Sequence, residues 1–259
     1  MSHPIVIIQA RMGSTRLPGK VLLPLVNKSM LWHIVQRCRA VDGIAEVVIA
    51  TTTRPQDQPI LDVCATEGIA CFEGSDQDVL SRYYQAAVSF QADPVIRITG
   101  DCPCSDPGLI EAVVAMHRSA RFDLVGAATG AGAHGLDGWH FPDGLDVECS
   151  SFGCLERLWS EAQAPHDREH VSTYALRHPD RFRIGRMYAP ADYGHHRWTV
   201  DHWEDFMLVR AIYDALWRPE CHFTMQEVLG YLEAHPEVYA LNRRWVGQEG
   251  YAALLDASR

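Results

Sequence analysis

Three cations lie close together near the start of the chain: Arg11, Arg16 and Lys20. They occupy a loop with two glycines, which directly follows an apolar run rich in β-branched residues at positions 4–8. The chain has only two lysines, and one of them closes this loop. A buried strand that runs into a basic, glycine-containing loop presents backbone N–H groups and positive charge to phosphates. The pattern predicts nucleotide chemistry; the alternative is a surface loop with solvated arginines.

The spacing of this loop differs from the common phosphate-binding motifs. A P-loop has the pattern G-x-x-x-x-G-K-[ST], but here five residues separate Gly13 from Gly19, and Val21 stands where the motif needs a hydroxyl. Pro18 also lacks a backbone N–H donor. No glycine-rich dinucleotide fingerprint follows the strand either. If the loop binds phosphates, it therefore does so without the P-loop or dinucleotide-binding pattern.

Two aspartates are candidate ligands for a metal ion. Asp101 follows the predicted strand 94–99, and Asp201 ends another predicted strand, 197–201. Mg²⁺ favours one or two carboxylates together with phosphate oxygens. A turn or capping role is the alternative for Asp101, but Asp106 already suits the cap of the next helix. For Asp201, a metal ligand and a turn residue are equal alternatives.

Further polar residues are candidates for contact with a second substrate. On a strand, Asp146 and Glu148 would share one face, where they can hydrogen-bond the hydroxyl groups of a sugar; a solvated edge strand gives the same pattern. His170 lies in a polar cluster at the start of a predicted helix, where substrate contact and a capping role for its neighbours fit equally well. The candidate set is Asp143, Asp146, Glu148, Arg168 and His170.

Alternating strands and helices must position these residues. The predicted strands are 4–10, 46–51, 69–72, 94–99, 123–128, 144–149, 183–188 and 197–201. The predicted helices are 29–39, 56–67, 76–90, 106–119, 151–163, 169–177, 205–216 and 225–234, with Ser29 as an N-cap and Gly68 as a helix end. This order predicts an α/β fold with a mostly parallel sheet and helices on both faces. Ligands of such sheets bind beyond the carboxyl ends of the strands. Residues 129–140 are glycine-rich and predict a loop, and residues 141–199 predict an inserted arm.

Composition restricts the class of protein. A chain of 259 residues, 47% hydrophobic and 22% charged, predicts a single globular domain over residues 1–259. A net charge of −10 argues against a nucleic-acid surface. No apolar run is long enough to span a membrane, and no signal-peptide pattern is visible. Eight scattered cysteines without zinc-ligand spacing predict free thiols and a cytoplasmic location.

Five segments, in this order, resemble the acylneuraminate cytidylyltransferase family, and within it the branch named for spore-coat polysaccharide biosynthesis. The segments are QARMGSTRLPGK, RITGDCPCSDP, FPDGLDVE, REHVSTY and RWTVDHWEDF, which span about residues 4–210. Members of this family activate acidic sugars such as neuraminate or 3-deoxy-octulosonate as CMP conjugates. The resemblance implies a Rossmann-like fold of the nucleotide-diphospho-sugar transferase type and a homodimer formed through the inserted segment.

The resemblance also assigns residues. It implies that Asp101 and Asp201 bind Mg²⁺. His202-Trp203 stands where relatives carry Thr-Pro, which leaves the shape of the turn after Asp201 open. The residues that match the triphosphate signature are Arg11, Ser14, Arg16 and Lys20, with the backbone from Ala10 to Gly13 near the cytosine.

The combined expectation is a Mg²⁺-dependent nucleotidyltransferase that uses CTP. A hydroxyl group of a sugar or sugar acid attacks the α-phosphate, and pyrophosphate leaves. Arg11, Arg16 and Lys20 neutralise the leaving group, and Asp101 with the metal completes the catalytic set. Two alternatives remain open. One is a glycosyltransferase that consumes a nucleotide sugar, although the sequence after Asp101 lacks the D-x-D pattern. The other is a non-catalytic nucleotide- or sugar-binding subunit.

Overall fold

The computed structural model describes residues 3–120, 122–130 and 138–248. Within these ranges, runs of β-branched residues form strands, and amphipathic segments form helices between them. The strands are β1 Ile5–Gln9, β2 Pro24–Leu25, β3 Lys28–Ser29, β4 Glu46–Thr52, β5 Ala70–Gly74, β6 Val95–Thr99, β7 Leu124–Ala127, β8 Glu148–Ser150 and β9 Ile184–Met187. The helices are α1 Met30–Arg39, α2 Gln58–Glu67, α3 Val79–Ser89, α4 Pro107–Ala120, α5 Phe152–Glu161, α6 Pro165–His170, α7 Thr173–Arg177, α8 Trp203–Leu216, α9 Met225–Ala234 and α10 Pro236–Tyr239.

The strands of the described part form one seven-stranded sheet in the order β5-β4-β1-β6-β8-β7-β9, and β2 pairs with β3 in a separate hairpin. Within the seven-stranded sheet, β8 is antiparallel to both of its neighbours, and the other pairs are parallel. Gln9 at the end of β1 lies opposite Ala50 on one side and Thr99 on the other. Since the chain continues from β1 to β4 on one side and reaches β6 on the other, the strand order reverses beside β1. Such a reversal is where open α/β sheets bind ligands.

Both faces of β1 are buried, which explains its unbroken apolar sequence. Val6 and Ile8 belong to one core cluster with residues of α1, α4 and α8. Ile5 and Ile7 belong to a second cluster with residues of α3 and α5. The predicted architecture, a mostly parallel sheet with helices on both faces, is confirmed.

Several local predictions are confirmed in detail. Ser29 caps α1, because its side chain accepts a hydrogen bond from the Trp32 backbone N–H. Gly68 ends α2 in the left-handed conformation, with φ of 62°. Asp106 accepts from the backbone N–H of Leu109 at 3.1 Å in the first turn of α4.

Three predicted elements differ. Residues 197–201 are not a strand: the backbone N–H groups of Trp198 and Val200 donate to Asp143 and Asp101, so the segment ties two loops together. The predicted helix 169–177 is divided between α6 and α7, because Val171 adopts a positive φ of 59°. The predicted strand 144–149 is shorter and occupies Glu148–Ser150.

The segment at 141–199 contributes β8 and β9 to the main sheet. It is therefore built into the sheet, and its role in dimerisation stays a prediction. Of the predicted loop at 129–140, residues 131–137 lie outside the described ranges. No helix in the described ranges combines the length and apolar character needed to cross a membrane.

Candidate active site

The basic loop after β1 is fixed at both ends. The Met12 backbone N–H donates to Oδ1 of the buried Asp57 at 2.7 Å, and the Gly19 N–H donates to the Met12 carbonyl at 2.9 Å. Gly19 adopts a φ of 72°, which glycine reaches without strain. Lys20 then begins a short 3₁₀ turn. The loop is thus closed into a fixed shape that directs its last residue toward the sheet edge.

Lys20 lies between the two predicted metal ligands. Its Nζ donates to Asp101 Oδ2 and to Asp201 Oδ1, each at 2.8 Å. Arg16 contacts the same Asp201 oxygen at 2.7 Å. The Lys20 side chain is 9% exposed. Residues far apart in the chain therefore form one charged cluster, which we call the Lys20–Asp101–Asp201 triad.

Glycine at position 100 allows the close approach that forms this triad. The Gly100 N–H donates to the Gln9 carbonyl at 2.9 Å, and a Cβ at this position would lie 2.7 Å from the same oxygen. The Val200 N–H donates to the Asp101 carbonyl at 2.8 Å. These bonds hold the ends of β1 and β6 and the segment before Asp201 side by side.

Arg197 fixes Asp201 from beneath the cluster. The guanidinium of this buried arginine lies within 3.1 Å of Asp143, Asp201 and Asp205. Asp205 also accepts the backbone N–H groups of Asp201 and His202. Asp143 was expected to contact substrate, and we correct that expectation, because it is buried against Arg197 and is not among the described residues that line the cavities below.

The turn after Asp201, which carries His202-Trp203 in place of Thr-Pro, is closed by hydrogen bonds to Asp205. Asp205 caps the start of α8, and the His202 ring stacks on Trp245, with 3.7 Å between the ring centroids. Trp203 is exposed. The departure from the family pattern therefore leaves the Asp201 carboxylate directed at Lys20.

The triad shifts the pKa of each member. Burial alone would lower the pKa of Lys20, but Asp101 and Asp201 together outweigh it and raise the pKa above 10.5. Burial acts in the opposite direction on the two carboxyl groups, yet Lys20 holds the pKa of each below 3.8. All three groups are therefore charged at neutral pH.

A cavity of about 290 Å³ opens over the triad at the carboxyl edge of the sheet. Gly13 was expected here as well, but it is not among the described residues that line the cavity. A Cβ at this position would lie 2.7 Å from the Gln56 side chain. The predicted nucleotide-site residues that do line the cavity are Ala10, Arg11, Ser14, Arg16, Lys20, Asp101 and Asp201.

Arg82 also lines this cavity, and the sequence analysis missed it. It is only 2% exposed, it donates to the Ser75 carbonyl at 2.6 Å, and its Nε has no hydrogen-bond partner among the described residues. Burial lowers its pKa, and the nearby Arg11 adds to this. The signal that could have identified it is a cation on the apolar face of predicted helix 76–90, beside Val79 and Tyr83.

A second cavity of about 230 Å³ adjoins the first and shares Thr99 and His170 with it. Asp146 accepts from Thr129 Oγ1 at 2.5 Å, and burial raises the pKa of Asp146. Glu148 pairs with Arg97 at 3.0 Å. Asp146, Glu148 and His170 line this space as the sequence suggested, whereas their contact with a substrate stays a prediction.

Arg168 has a different position from the one expected. Its guanidinium forms hydrogen bonds to both carboxylate oxygens of Asp78, the N-cap of α3, and to the Trp159 carbonyl. It is absent from the described lining of both cavities. Arg168 therefore fixes α3 against α6, and we correct its assignment as a substrate ligand.

The triad fits a divalent cation in its donor set. Two carboxylate oxygens converge on one point, which an ammonium group holds in the structure. Mg²⁺ prefers such a partial set and completes its octahedron with phosphate oxygens and water. No group of three or more His, Cys, Asp or Glu side chains suited to a metal occurs among the described residues. The site is therefore suited to a metal that arrives with a phosphate ligand.

Comparisons with known proteins agree with this geometry. The spore coat polysaccharide biosynthesis protein SpsF of Bacillus subtilis is 31% identical over 244 residues, which cover 92% of this chain and 97% of that protein. The 3-deoxy-manno-octulosonate cytidylyltransferase of Anaeromyxobacter dehalogenans is 37% identical over 124 residues, 47% of this chain and 50% of that protein. A solved cytidylyltransferase structure from Leptospira borgpetersenii serovar Hardjo-bovis has a TM-score of 0.81 at 26% identity and covers 92% of this chain and 97% of its own.

A family described as "Cytidylyltransferase" matches residues 5–206, a range that contains the basic loop, both aspartates of the triad and the second cavity. The predicted function class is thereby confirmed: the chain belongs to the cytidylyltransferase family.

Proposed function

We propose that the protein transfers the cytidylyl group of CTP to a hydroxyl group of a sugar or sugar acid, in a Mg²⁺-dependent step of polysaccharide biosynthesis. The observation that carries the proposal is the convergence of Lys20, Asp101 and Asp201 in one cavity with two arginines of the basic loop. Cations and paired carboxylates around a cavity are what a triphosphate with its metal requires.

Each charged group has a role in this reaction. The acceptor oxygen forms a bond to the α-phosphorus while the bond to the pyrophosphate oxygen breaks, so negative charge accumulates on the leaving group. Arg11, Arg16 and Lys20 neutralise that charge. Asp101 and Asp201 would hold Mg²⁺, which would supply positive charge to the α-phosphate.

We assign the acceptor to the second cavity. Asp146 and Glu148 supply hydrogen-bond acceptors for hydroxyl groups, and Arg186 supplies a cation at the same wall. Thr99 and His170 border both cavities, so an acceptor bound here faces the nucleotide. This contiguity supports a transfer in which both substrates are bound together.

The match to SpsF over nearly its whole length supports placement in the spore-coat branch of the acylneuraminate cytidylyltransferase family. The match to the 3-deoxy-manno-octulosonate enzyme covers about half of either chain. We therefore propose an acidic sugar as the first acceptor class to test.

We further propose a cytoplasmic homodimer. All eight cysteines lie in the described ranges as free thiols, which fits a reducing compartment. Tyr188, which is 44% exposed, follows the edge strand β9, and Trp139, which is 56% exposed, is joined to the next residue by a hydrogen bond from the Ala189 N–H to the Trp139 carbonyl. Two exposed aromatic side chains at a sheet edge suit an interface. Light scattering after size exclusion tests this, with the mass of two chains as the expected result.

A matrix of substrates tests the activity. The chain is incubated with Mg²⁺, each of CTP, UTP, ATP and GTP, and a panel of sugar acids and neutral sugars, and pyrophosphate is measured. CTP with at least one acidic sugar is expected to release pyrophosphate, and Asp101→Asn is expected to slow that release at limiting Mg²⁺. Calorimetry that finds Mg²⁺-dependent CTP binding without turnover on any acceptor would indicate a binding subunit. Release of a nucleoside diphosphate from nucleotide sugars would indicate a glycosyltransferase.

A further inference from the structure

We propose that Lys20 is an exchangeable counter-ion that couples metal binding to nucleotide binding. In the structure its ammonium lies between Asp101 and Asp201, and the metal displaces it toward the triphosphate. The inference rests on the proposed function, because it takes CTP and a divalent cation as the ligands. It adds a property of the site, namely that neither ligand alone binds as well as the two together.

First, the metal and the Lys20 ammonium exclude each other from the two aspartates. Lys20 Nζ lies 2.8 Å from an oxygen of each aspartate. Mg²⁺ bound to the same two oxygens would have metal–oxygen distances of about 2.1 Å and would occupy the region of the ammonium. The metal and the ammonium therefore cannot share the two oxygens.

The second step concerns which cations remain in contact with each aspartate after Lys20 moves away. Asp201 keeps two other cations, since Arg16 and Arg197 contact its carboxylate. For Asp101, Lys20 is the one cation in ion-pair contact among the residues that the structure describes. The incoming metal must therefore replace Lys20 at Asp101 as the ammonium departs.

The third step concerns where Lys20 goes. Its side chain is 9% exposed, and a buried ammonium without a partner is strongly disfavoured. The Glu169 carboxylate also lines the cavity, but it already pairs with Arg11 at 3.9 Å. A triphosphate bound against the basic loop supplies further anionic oxygens. A metal that binds alone therefore leaves the Lys20 ammonium without an acceptor, whereas a metal that binds with CTP brings phosphate oxygens that accept from it. By linkage, each ligand must then strengthen the binding of the other.

The chain offers a matched control, because its only other lysine is Lys28. Lys28 pairs with Glu67 at the surface and lies outside the described lining of the nucleotide cavity. Lys20→Met removes the competing ammonium, Lys20→Arg keeps a cation at the site, and Lys28→Met removes a lysine elsewhere. Circular dichroism and thermal melting establish that each variant is folded.

A titration of the full chain with Mn²⁺ in the absence of nucleotide tests whether Lys20 competes with the metal. Free Mn²⁺ is measured by electron paramagnetic resonance. Lys20→Met is expected to bind Mn²⁺ at least tenfold more tightly than the wild type. Lys20→Arg and Lys28→Met are expected to match the wild type. A dissociation constant for Lys20→Met within twofold of the wild type, or weaker, overturns the inference while leaving the proposed function intact. A wild-type chain that binds neither Mn²⁺ nor CTP overturns both.

A measurement on the wild type alone gives a second test that needs no variant. With ¹⁵N-labelled lysine, the two lysines are followed through their side-chain ammonium resonances. Mg²⁺ and CTP together are expected to shift the Lys20 resonance, Mg²⁺ alone is expected to leave most Lys20 unshifted, and the Lys28 resonance is expected to stay in place. A Lys20 resonance that does not respond to Mg²⁺ with CTP contradicts the exchange.

Discussion

Lys20 Nζ and Asp101 Oδ2 lie 2.8 Å apart, although 81 residues separate the two in the chain. The contact joins the loop after β1 to the turn after β6, and these are neighbouring strands at the point where the strand order reverses. This ion pair bridges the two sides of the ligand site, so it places an ammonium and a carboxylate together at the base of the cavity.

Replacement of Lys20 by Ala is expected to lower kcat/KM for CTP by about a hundredfold, the typical loss for one preorganised charged group. Initial rates of pyrophosphate release measure the effect. Lys28→Ala, which removes the other lysine at the surface, is expected to retain wild-type rates. Equal rates for both variants would show that Lys20 has no role in the reaction.

Neutralising Asp101 is expected to change the metal dependence. Asp101→Asn keeps the shape of the side chain but removes one of two anionic ligands, so the Mg²⁺ concentration for half-maximal activity is expected to rise by about tenfold or more. A magnesium titration at saturating CTP measures this. Asp42→Asn, a substitution on an exposed turn, serves as the control. An unchanged magnesium dependence in Asp101→Asn would contradict the assignment.

Arg82 is expected to contribute to CTP binding. The residue borders the nucleotide cavity, its buried Nε has no partner among the described residues, and a hydrogen bond from a charged group contributes about 1.5–3 kcal/mol. Arg82→Met is therefore expected to raise the KM for CTP by roughly ten- to a hundredfold. Arg39→Met changes an exposed arginine on α1 and is expected to leave this KM unchanged. A normal KM in a folded Arg82→Met variant would rule the contact out.

Acid stability is expected to depend on Asp201. Burial raises its pKa, but Lys20 and Arg16 more than compensate and hold it below 3.8. A carboxyl group whose pKa is depressed on folding contributes stability above its unfolded pKa and loses it as the pH falls through the folded value. The wild-type Tm should therefore drop between about pH 4 and pH 2 more steeply than that of Asp201→Asn. Parallel melting curves for the two proteins over this range would contradict the assignment.

Gly100→Ala is expected to destabilise the protein and to lower activity together. The added Cβ would lie 2.7 Å from the Gln9 carbonyl, so the turn that carries Asp101 must move. We expect a loss of about 1–3 kcal/mol, as in other overpacked sites. Gly153→Ala, where a Cβ meets nothing within 4 Å, is the matched control. Urea unfolding of both variants measures the difference.

The sequence predicted the sheet and the charged cluster because both depend on local signals. Strand β1 is apolar on both faces, and helix starts such as Ser29 carry recognisable caps. The meeting of Lys20 and Asp101 followed from a simple rule, since residues that follow the carboxyl ends of adjacent parallel strands converge. Asp201 lies outside this rule, because residues 197–201 are not a strand, and its place beside Asp101 was implied by the family resemblance.

The remaining features depend on long-range contacts that no short pattern records. Asp143 was expected to contact substrate, but Arg197, 54 residues away, buries it in an ion pair. Arg168 looked like a substrate ligand, but it pairs with Asp78, 90 residues away. The break between α6 and α7 depends on the positive φ of Val171, a backbone conformation that β-branched residues rarely adopt.

A crystal structure of the chain with Mn²⁺ and a non-hydrolysable CTP analogue tests the central claim most directly. Anomalous diffraction is expected to place Mn²⁺ within about 2.5 Å of carboxylate oxygens of both Asp101 and Asp201, with Lys20 in contact with a phosphate oxygen. A Mn²⁺ peak elsewhere, with Lys20 still bound between the two aspartates beside an occupied nucleotide cavity, would contradict the account.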